Sequence, residues 1–165
     1  EDAAIELDLM GARCIPLKMC EPDIEYIMAK DWVGTGSDAV SPPYGVGLVH
    51  IRAYTTFPRK IKNYVLDKPV VSLSHAVRSM TSLPARIMEW DDRGWIKEGY
   101  RADIAVIDLA KLETPATISN PQRYSKGVEA LVINGIAAIE NGVYNGKLPG
   151  KVLTLKGAAA KPTAP

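Results

Sequence analysis

Apolar residues recur with two different periods in the first part of the chain. Residues 15–19 alternate between apolar and polar side chains, which is the period of a β-strand. Pro22 stands where the first residue of a helix is expected, and apolar residues follow it at helical spacing through Met28. Residues 32–36, Trp-Val-Gly-Thr-Gly, are a second short strand candidate, which is followed by Ser37 and Asp38. The pattern therefore predicts a strand, a helix and a second strand.

A long stretch rich in proline and glycine follows, over residues 39–56. Loops of this length are uncommon inside a compact domain and are often functional. Residues 57–65 then carry apolar side chains on one helical face, and we expect Lys60 and Lys62 to lie on the solvated face. Ser72 is suited to cap one further helix. Strands that alternate with helices in this way are typical of a β/α domain.

The second half of the chain has a different pattern. Two short apolar runs, 94–96 and 102–108, are predicted to be strands. Two longer runs, 128–133 and 136–139, are separated only by Asn134-Gly135. Asn-Gly predicts a two-residue hairpin because both turn positions require positive φ. This half is therefore predicted to be antiparallel β-structure.

These patterns predict an α/β chain with three parts. Residues 1–90 are β/α, residues 91–155 are antiparallel β, and the small, proline-containing tail 156–165 is expected to be disordered. Two strands cannot form a stable sheet by themselves. We therefore expect residues 1–90 to be the end of a larger β/α domain, and the chain to be incomplete without an N-terminal portion.

Composition and charge exclude several classes of function. The chain has 165 residues and a formal net charge of +1, so no electrostatic feature favours nucleic acid or a membrane surface as a partner. No apolar run approaches the length of about 18 residues that spans a bilayer. Two cysteines are too few for a disulfide framework, and two histidines are too few for a self-contained multi-histidine metal site.

Several segments resemble the C-terminal part of N-acyl-D-amino-acid deacylases (D-aminoacylases), a branch of the metal-dependent amidohydrolase superfamily. These segments are 37–38, 50–52, 56–59, 76–85, 92–104, 132–135 and 149–153. The stretch from His50-Ile51-Arg52 to Phe57-Pro58-Arg59 points more narrowly to the deacylase branch. The Gly94 to Asp103 segment is shared by many amidohydrolases.

The resemblance implies a (β/α)8 barrel flanked by a small β-sandwich. Residues 1–90 would then hold barrel strands 7 and 8 with the closing helices, and residues 91–155 the C-terminal part of the sandwich. Strand 8 would end at Gly36. Enzymes with this barrel place their chemistry at the C-terminal ends of the strands, which is where Ser37 and Asp38 lie.

The resemblance also implies roles for four residues. Asp38 would be the catalytic acid and base and a weak ligand of zinc, whereas its local sequence alone is typical of a turn aspartate. Arg52 would bind the substrate carboxylate, since its planar guanidinium matches a carboxylate; alternatively it is a loop arginine paired with an acid. His50 would line the same pocket or hold the loop, and Tyr44 is a further pocket candidate. His75 is expected to face solvent on its helix.

The function implied is deacylation of N-acyl-D-amino acids through a metal-activated water. Zinc would be the cofactor, with most of its ligands in the N-terminal portion of the same enzyme, in one polypeptide or as a separate chain. The expected small-molecule partner is an N-acyl amino acid, and a homo-oligomer is left open. Two alternatives are a cyclic-amide hydrolase of the dihydroorotase or hydantoinase type and a non-catalytic assembly domain.

Overall fold

The computed structural model describes residues 6, 10, 19–40, 43–47 and 49–154. The predicted strand at 15–19 and the tail 156–165 lie outside these residues, apart from Met19. The helices of the described part are α1 (Glu21–Met28), α2 (Arg52–Ile61), α3 (Leu73–Met80) and α4 (Ser82–Ile87). None of them is long and apolar enough to cross a membrane.

Helices α1 and α3 begin where the sequence predicts. Pro22 lies in the first turn of α1, where its missing N–H costs no hydrogen bond. The Ser72 hydroxyl caps α3 by accepting a hydrogen bond of 3.1 Å from the His75 amide. The prediction that His75 faces solvent is wrong, because its ring packs against the end of α1 and Nε2 lies 3.0 Å from the Met28 carbonyl oxygen.

Helix α2 begins five residues earlier than predicted, at Arg52, and continues into a π-helical segment, Lys62–Asp67. The hydroxyls of Thr55 and Thr56 donate to the carbonyl oxygens of Ile51 and Arg52 within the first turn. The part of the predicted loop after residue 51 is therefore helical.

The second half forms one antiparallel sheet with strand order β1-β2-β3-β4. Its strands are β1 (Ile104–Ile107), β2 (Val128–Ile133), β3 (Ile136–Glu140) and β4 (Val143–Tyr144). Asn134 and Gly135 both have positive φ, 49° and 77°, as the predicted two-residue turn requires. The hairpin predicted from Asn-Gly is confirmed, and β1 confirms the predicted run at 102–108.

The predicted strand at 94–96 is wrong, because Gly94 and Trp95 lie in a bend and Ile96 belongs to no strand. Gly94 has a φ of 85° and lies so close to α4 that a Cβ there would come within 2.7 Å of the Ala85 Cβ. The positive φ is incompatible with an extended strand, and the close contact leaves no room for a side chain, so the position requires glycine. The bend packs the connection to the sheet against α4.

Ion pairs fix the segment between this bend and the sheet. The Arg93 guanidinium contacts the Asp103 carboxylate at 2.8 Å, and the other oxygen of Asp103 accepts a hydrogen bond from the Asn134 amide in the hairpin turn. Arg101 pairs with Asp92 at 2.8 Å, and this hydrogen bond is the main reason that the pKa of Asp92 lies below its ordinary value. The charged residues of this segment therefore stabilise its position.

Buried apolar side chains form two groups, one in each half of the chain. The helical group contains Val49, Ile61, Val71, Ala76, Leu83 and Ala85, and the group beside the sheet contains Leu112, Ala116 and Ala138.

Candidate functional site

The segment that leads to Asp38 has no regular secondary structure. Residues 33–40 form neither helix nor strand, so the predicted strand at 32–36 is wrong. A strand is stabilised by hydrogen bonds to a neighbouring strand, and the described residues provide no strand beside this segment. Its contacts are instead with helices: the Thr35 amide donates to the Ser79 carbonyl of α3 at 2.8 Å, and the Thr35 hydroxyl accepts a hydrogen bond from Lys60 of α2.

Asp38 follows this segment in an unusual backbone conformation. Its φ is 47°, in the left-handed region that few residues other than glycine adopt. Asp tolerates this region better than most residues because its short polar side chain bonds locally. The side chain is 90% exposed. The carboxylate is therefore accessible to another molecule from the solvent.

Asp38 and Arg52 form an ion pair. The Arg52 Nη2 lies 2.9 Å from the Asp38 Oδ2, and the arginine side chain is 44% exposed. Arg52 is the first residue of α2. The sequence pattern had predicted that it lies in a loop. The structure thus brings together the predicted acid and the predicted carboxylate-binding cation. The same contact also fits the alternative role predicted for Arg52, which is to pair with a nearby acid.

His50 lies directly before α2 and contacts its first turn. Nδ1 of His50 accepts a hydrogen bond of 3.1 Å from the Arg52 amide. An amide in the first turn of a helix has no partner within the helix, so this bond satisfies a group that would otherwise need water. The contact agrees with a residue that holds the loop beside Arg52.

Tyr44 lies in a group of three tyrosines that the sequence does not reveal. Its ring stacks on Tyr124, with 5.1 Å between the centroids, and meets Tyr54 edge to face at 6.2 Å. Its hydroxyl donates to the Gln122 carbonyl at 3.0 Å. Desolvation raises the pKa of Tyr54, with smaller effects from Tyr124 and Tyr44. None of these contacts involves Asp38 or Arg52.

Lys60 is buried, and its prediction as part of a solvated face is wrong. Only 5% of the residue is exposed. Its ammonium group donates hydrogen bonds of 2.8 Å to the Thr35 and Ser79 hydroxyls. Burial lowers its pKa, because the charged form loses hydration. Lys62, by contrast, is partly exposed and pairs with Asp67.

The described residues do not form a metal centre. No group of three or more His, Cys, Asp or Glu side chains among them is placed to hold a metal ion. Asp38 is the one weak ligand that the resemblance implies in this chain, and its carboxylate is paired with Arg52. A zinc ion requires about four ligands, so these residues alone do not fit a zinc site.

Comparison with known proteins identifies relatives for most of the chain. The model of the amidohydrolase family matches residues 20–137. A D-aminoacylase from Alcaligenes xylosoxydans xylosoxydans is 32% identical over 146 residues, which is 88% of this chain and 30% of that protein. A dihydroorotase from Endomicrobium trichonymphae is 44% identical over 59 residues, which is 36% of this chain and 14% of that protein.

Solved structures show the same relationship. The chain superposes on a crystal structure of D-aminoacylase with a TM-score of 0.75 and 34% identity, covering 82% of this chain and 28% of that one. An N-acyl-D-glutamate deacylase from Bordetella bronchiseptica, solved with zinc and a phosphonate inhibitor, gives a TM-score of 0.67 and 28% identity over 75% of this chain and 26% of that one.

The chain spans about 30% of the length of the D-aminoacylase that it matches. Within that span, the family match covers both the segment that carries Asp38 and Arg52 and most of the β2–β3 hairpin. On this evidence, the chain belongs to the amidohydrolase family.

Proposed function

We propose that this chain is the C-terminal part of an enzyme that hydrolyses the amide bond of N-acyl-D-amino acids. The complete enzyme would consist of this chain and an N-terminal portion, in one polypeptide or as a separate chain. The similarity to a D-aminoacylase along 88% of this chain supports the proposal. In that enzyme, residues 1–90 would be the last two β/α units of a (β/α)8 barrel, in which segment 32–36 would become a strand by pairing with strands of the N-terminal portion, and residues 91–155 would be part of a β-sandwich.

The Asp38–Arg52 pair is the observation that carries the proposal. A deacylase needs a group that moves a proton and a group that holds the free α-carboxylate of its substrate. The structure has a carboxylate and a guanidinium in contact, with the carboxylate almost fully exposed. A substrate whose α-carboxylate binds Arg52 would thus have its amide close to Asp38.

Asp38 would act as both base and acid. Its carboxylate accepts a proton from the attacking water and then donates that proton to the leaving amide nitrogen, so that an amine and a carboxylate are released. Arg52 remains charged throughout and offers several N–H donors, so it can pair with Asp38 and with the substrate carboxylate through different nitrogens. His50 would hold the start of α2, and Tyr44 would line the pocket from the loop.

Zinc is the proposed cofactor of the complete enzyme. The N-acyl-D-glutamate deacylase from Bordetella bronchiseptica was solved with zinc. Zinc-bound water is activated at neutral pH, and this is what the metal would supply. Since the described residues of this chain do not form a zinc site, we assign most of the ligands to the N-terminal portion.

Hydrolysis of a cyclic amide is the second candidate function. It is favoured by the similarity to a dihydroorotase. This similarity has a higher identity than that to the D-aminoacylase, 44% against 32%, but covers only 36% of this chain. Opening a ring amide leaves the amine attached to the product, whereas a linear amide releases it. The similarity to a D-aminoacylase along 88% of this chain favours the linear substrate.

A single assay separates these functions. The complete enzyme, loaded with zinc, is given N-acetyl derivatives of D- and L-amino acids, and dihydroorotate or a hydantoin. Release of D-amino acids at least tenfold faster than L-amino acids is expected. Hydrolysis of the cyclic amides alone would overturn the proposal in favour of the second function, and no hydrolysis of any substrate would favour an assembly domain.

A further inference from the structure

Gln122 makes three hydrogen bonds to the loop of residues 43–47. Its side-chain Oε1 accepts from the Gly45 amide at 2.5 Å, and its Nε2 donates to the Gly47 carbonyl at 2.9 Å. Its main-chain carbonyl accepts from the Tyr44 hydroxyl at 3.0 Å. A primary amide that both donates to and accepts from one backbone segment fixes the position of that segment, because both bonds must be satisfied together.

The neighbours of Gln122 hold the same region. Tyr124 stacks on Tyr44 and meets the ring of Tyr54 at 5.5 Å, in the first turn of α2. The Ser125 hydroxyl donates to the Tyr54 carbonyl at 3.1 Å. We call the residues Gln122, Tyr124 and Ser125 the clamp. The clamp thus contacts both the loop and the start of the helix that carries Arg52.

The loop has one backbone hydrogen bond of its own, of 3.1 Å from the Val46 amide to the Pro43 carbonyl oxygen. Gly45 and Gly47 both have positive φ, 83° and 70°, and a Cβ on either would meet nothing within 4 Å. Glycine has more backbone freedom to lose than any other residue. Contacts from elsewhere in the chain therefore add to this one bond in selecting the conformation, and the clamp provides such contacts from about 77 residues away.

We propose that Gln122 is a positioning residue, which fixes the loop 43–47 and through it the placement of Arg52 for substrate. The loop lies between Asp38 and Arg52 along the chain, and Gln122 lies shortly before β2. The C-terminal half of the chain would thus determine how tightly the substrate carboxylate is held. The kinetic part of this inference rests on the proposed deacylase function, whereas the contact itself does not.

Hydrogen–deuterium exchange of the complete enzyme tests the contact. Gln122→Leu removes both side-chain hydrogen bonds, and Gln122→Glu keeps an acceptor for Gly45 but places an oxygen against the Gly47 carbonyl. Both variants should exchange peptides that cover 43–47 about tenfold faster than the unmodified enzyme. Arg123→Gln, a change beside Gln122 that leaves the clamp intact, should not. Unchanged exchange in Gln122→Leu would overturn the inference.

Kinetics of the same variants test the positioning role. Gln122→Leu should raise KM for N-acyl-D-amino acids about tenfold, with kcat changed less than threefold, because Asp38 lies outside the loop. Tyr124→Leu removes the stacked ring and should raise KM. Tyr124→Phe keeps the ring and should leave KM unchanged. Faster exchange with an unchanged KM would overturn the positioning role. Altered exchange in an enzyme that hydrolyses no N-acyl-D-amino acid would support the clamp and refute the proposed function.

Discussion

The Lys60 ammonium group donates a hydrogen bond of 2.8 Å to the hydroxyl of Thr35, three residues before Asp38. Helix α2, which carries Arg52 at its start, thus also holds the segment that leads to Asp38. The second partner of Lys60 is the Ser79 hydroxyl on α3. Both partners are neutral, so the charge of Lys60 is stabilised by dipoles and not by an ion pair with either of them.

This arrangement predicts a dependence of stability on pH. Because burial lowers the pKa of Lys60 below 10.5 in the folded protein, the unfolded chain binds a proton more readily than the folded one. The free energy of unfolding should therefore rise with pH from the folded pKa up to about 10.5. Urea unfolding at several pH values should show this rise, and Lys60→Met should abolish it.

Lys62→Met is the matched control, since Lys62 is partly exposed and lies two residues away. It should keep the rise in stability that the unmodified protein shows. If Lys60→Met and the unmodified protein had parallel pH profiles, the lysine would not be the group responsible.

The position of Lys60 shows where sequence reasoning fails in this chain. Residues 57, 60, 61 and 64 share one helical face, so the spacing alone places Lys60 beside apolar positions. Its charge suggested a solvated face instead. The two hydroxyls that accept its hydrogen bonds lie 25 and 19 residues away. A pattern within one helix cannot reveal such distant partners.

Signals that act over a few residues predicted the structure well. Pro22 and Ser72 mark the starts of α1 and α3, and Asn134-Gly135 marks the hairpin, because each satisfies a local backbone requirement. The segment 32–36 was predicted from its apolar side chains alone, whereas a strand also depends on hydrogen bonds to a neighbour. The clamp around Gln122 was missed for the same reason: its contacts join distant parts of the chain.

Asp38→Asn should reduce kcat of the complete enzyme by at least a hundredfold, since general acid–base catalysis contributes about 10²–10⁴ in rate. Asn is chosen because it also tolerates the positive φ of Asp38, so the change removes the charge without adding backbone strain. Thermal unfolding should confirm an unchanged fold, and metal analysis an unchanged zinc content. A kcat within threefold of normal would exclude Asp38 from the chemistry.

Arg52→Lys should raise KM for N-acyl-D-amino acids by about tenfold to a hundredfold, because lysine keeps the charge but loses the planar fork that binds a carboxylate. Steady-state kinetics would measure this change. The matched substrate is the corresponding N-acyl-D-amino-acid amide, which has no free carboxylate and should show little change in KM. Equal effects on both substrates would mean that Arg52 acts through Asp38 and not on the substrate.

Gly127 lies where the neighbouring backbone leaves no room for a side chain. Its φ is 87°, and a Cβ there would come within 2.8 Å of the Leu112 Cα and 2.9 Å of the Asp108 carbonyl oxygen. Gly146 has nearly the same φ, 84°, but a Cβ there would meet nothing within 4 Å. The two glycines therefore differ in crowding and not in backbone conformation.

Gly146→Ala should lower the free energy of unfolding by about 1–2 kcal/mol, the cost of a left-handed backbone for an L-residue. Gly127→Ala should lower it by about 1–3 kcal/mol more, because Leu112 is buried in the core and cannot move away without disturbing its neighbours. Urea unfolding of both variants measures the difference directly. If both variants lost the same free energy of unfolding, Leu112 could move away from the added methyl group without destabilising the fold. The connection before β2 would then be less tightly packed than the structure indicates.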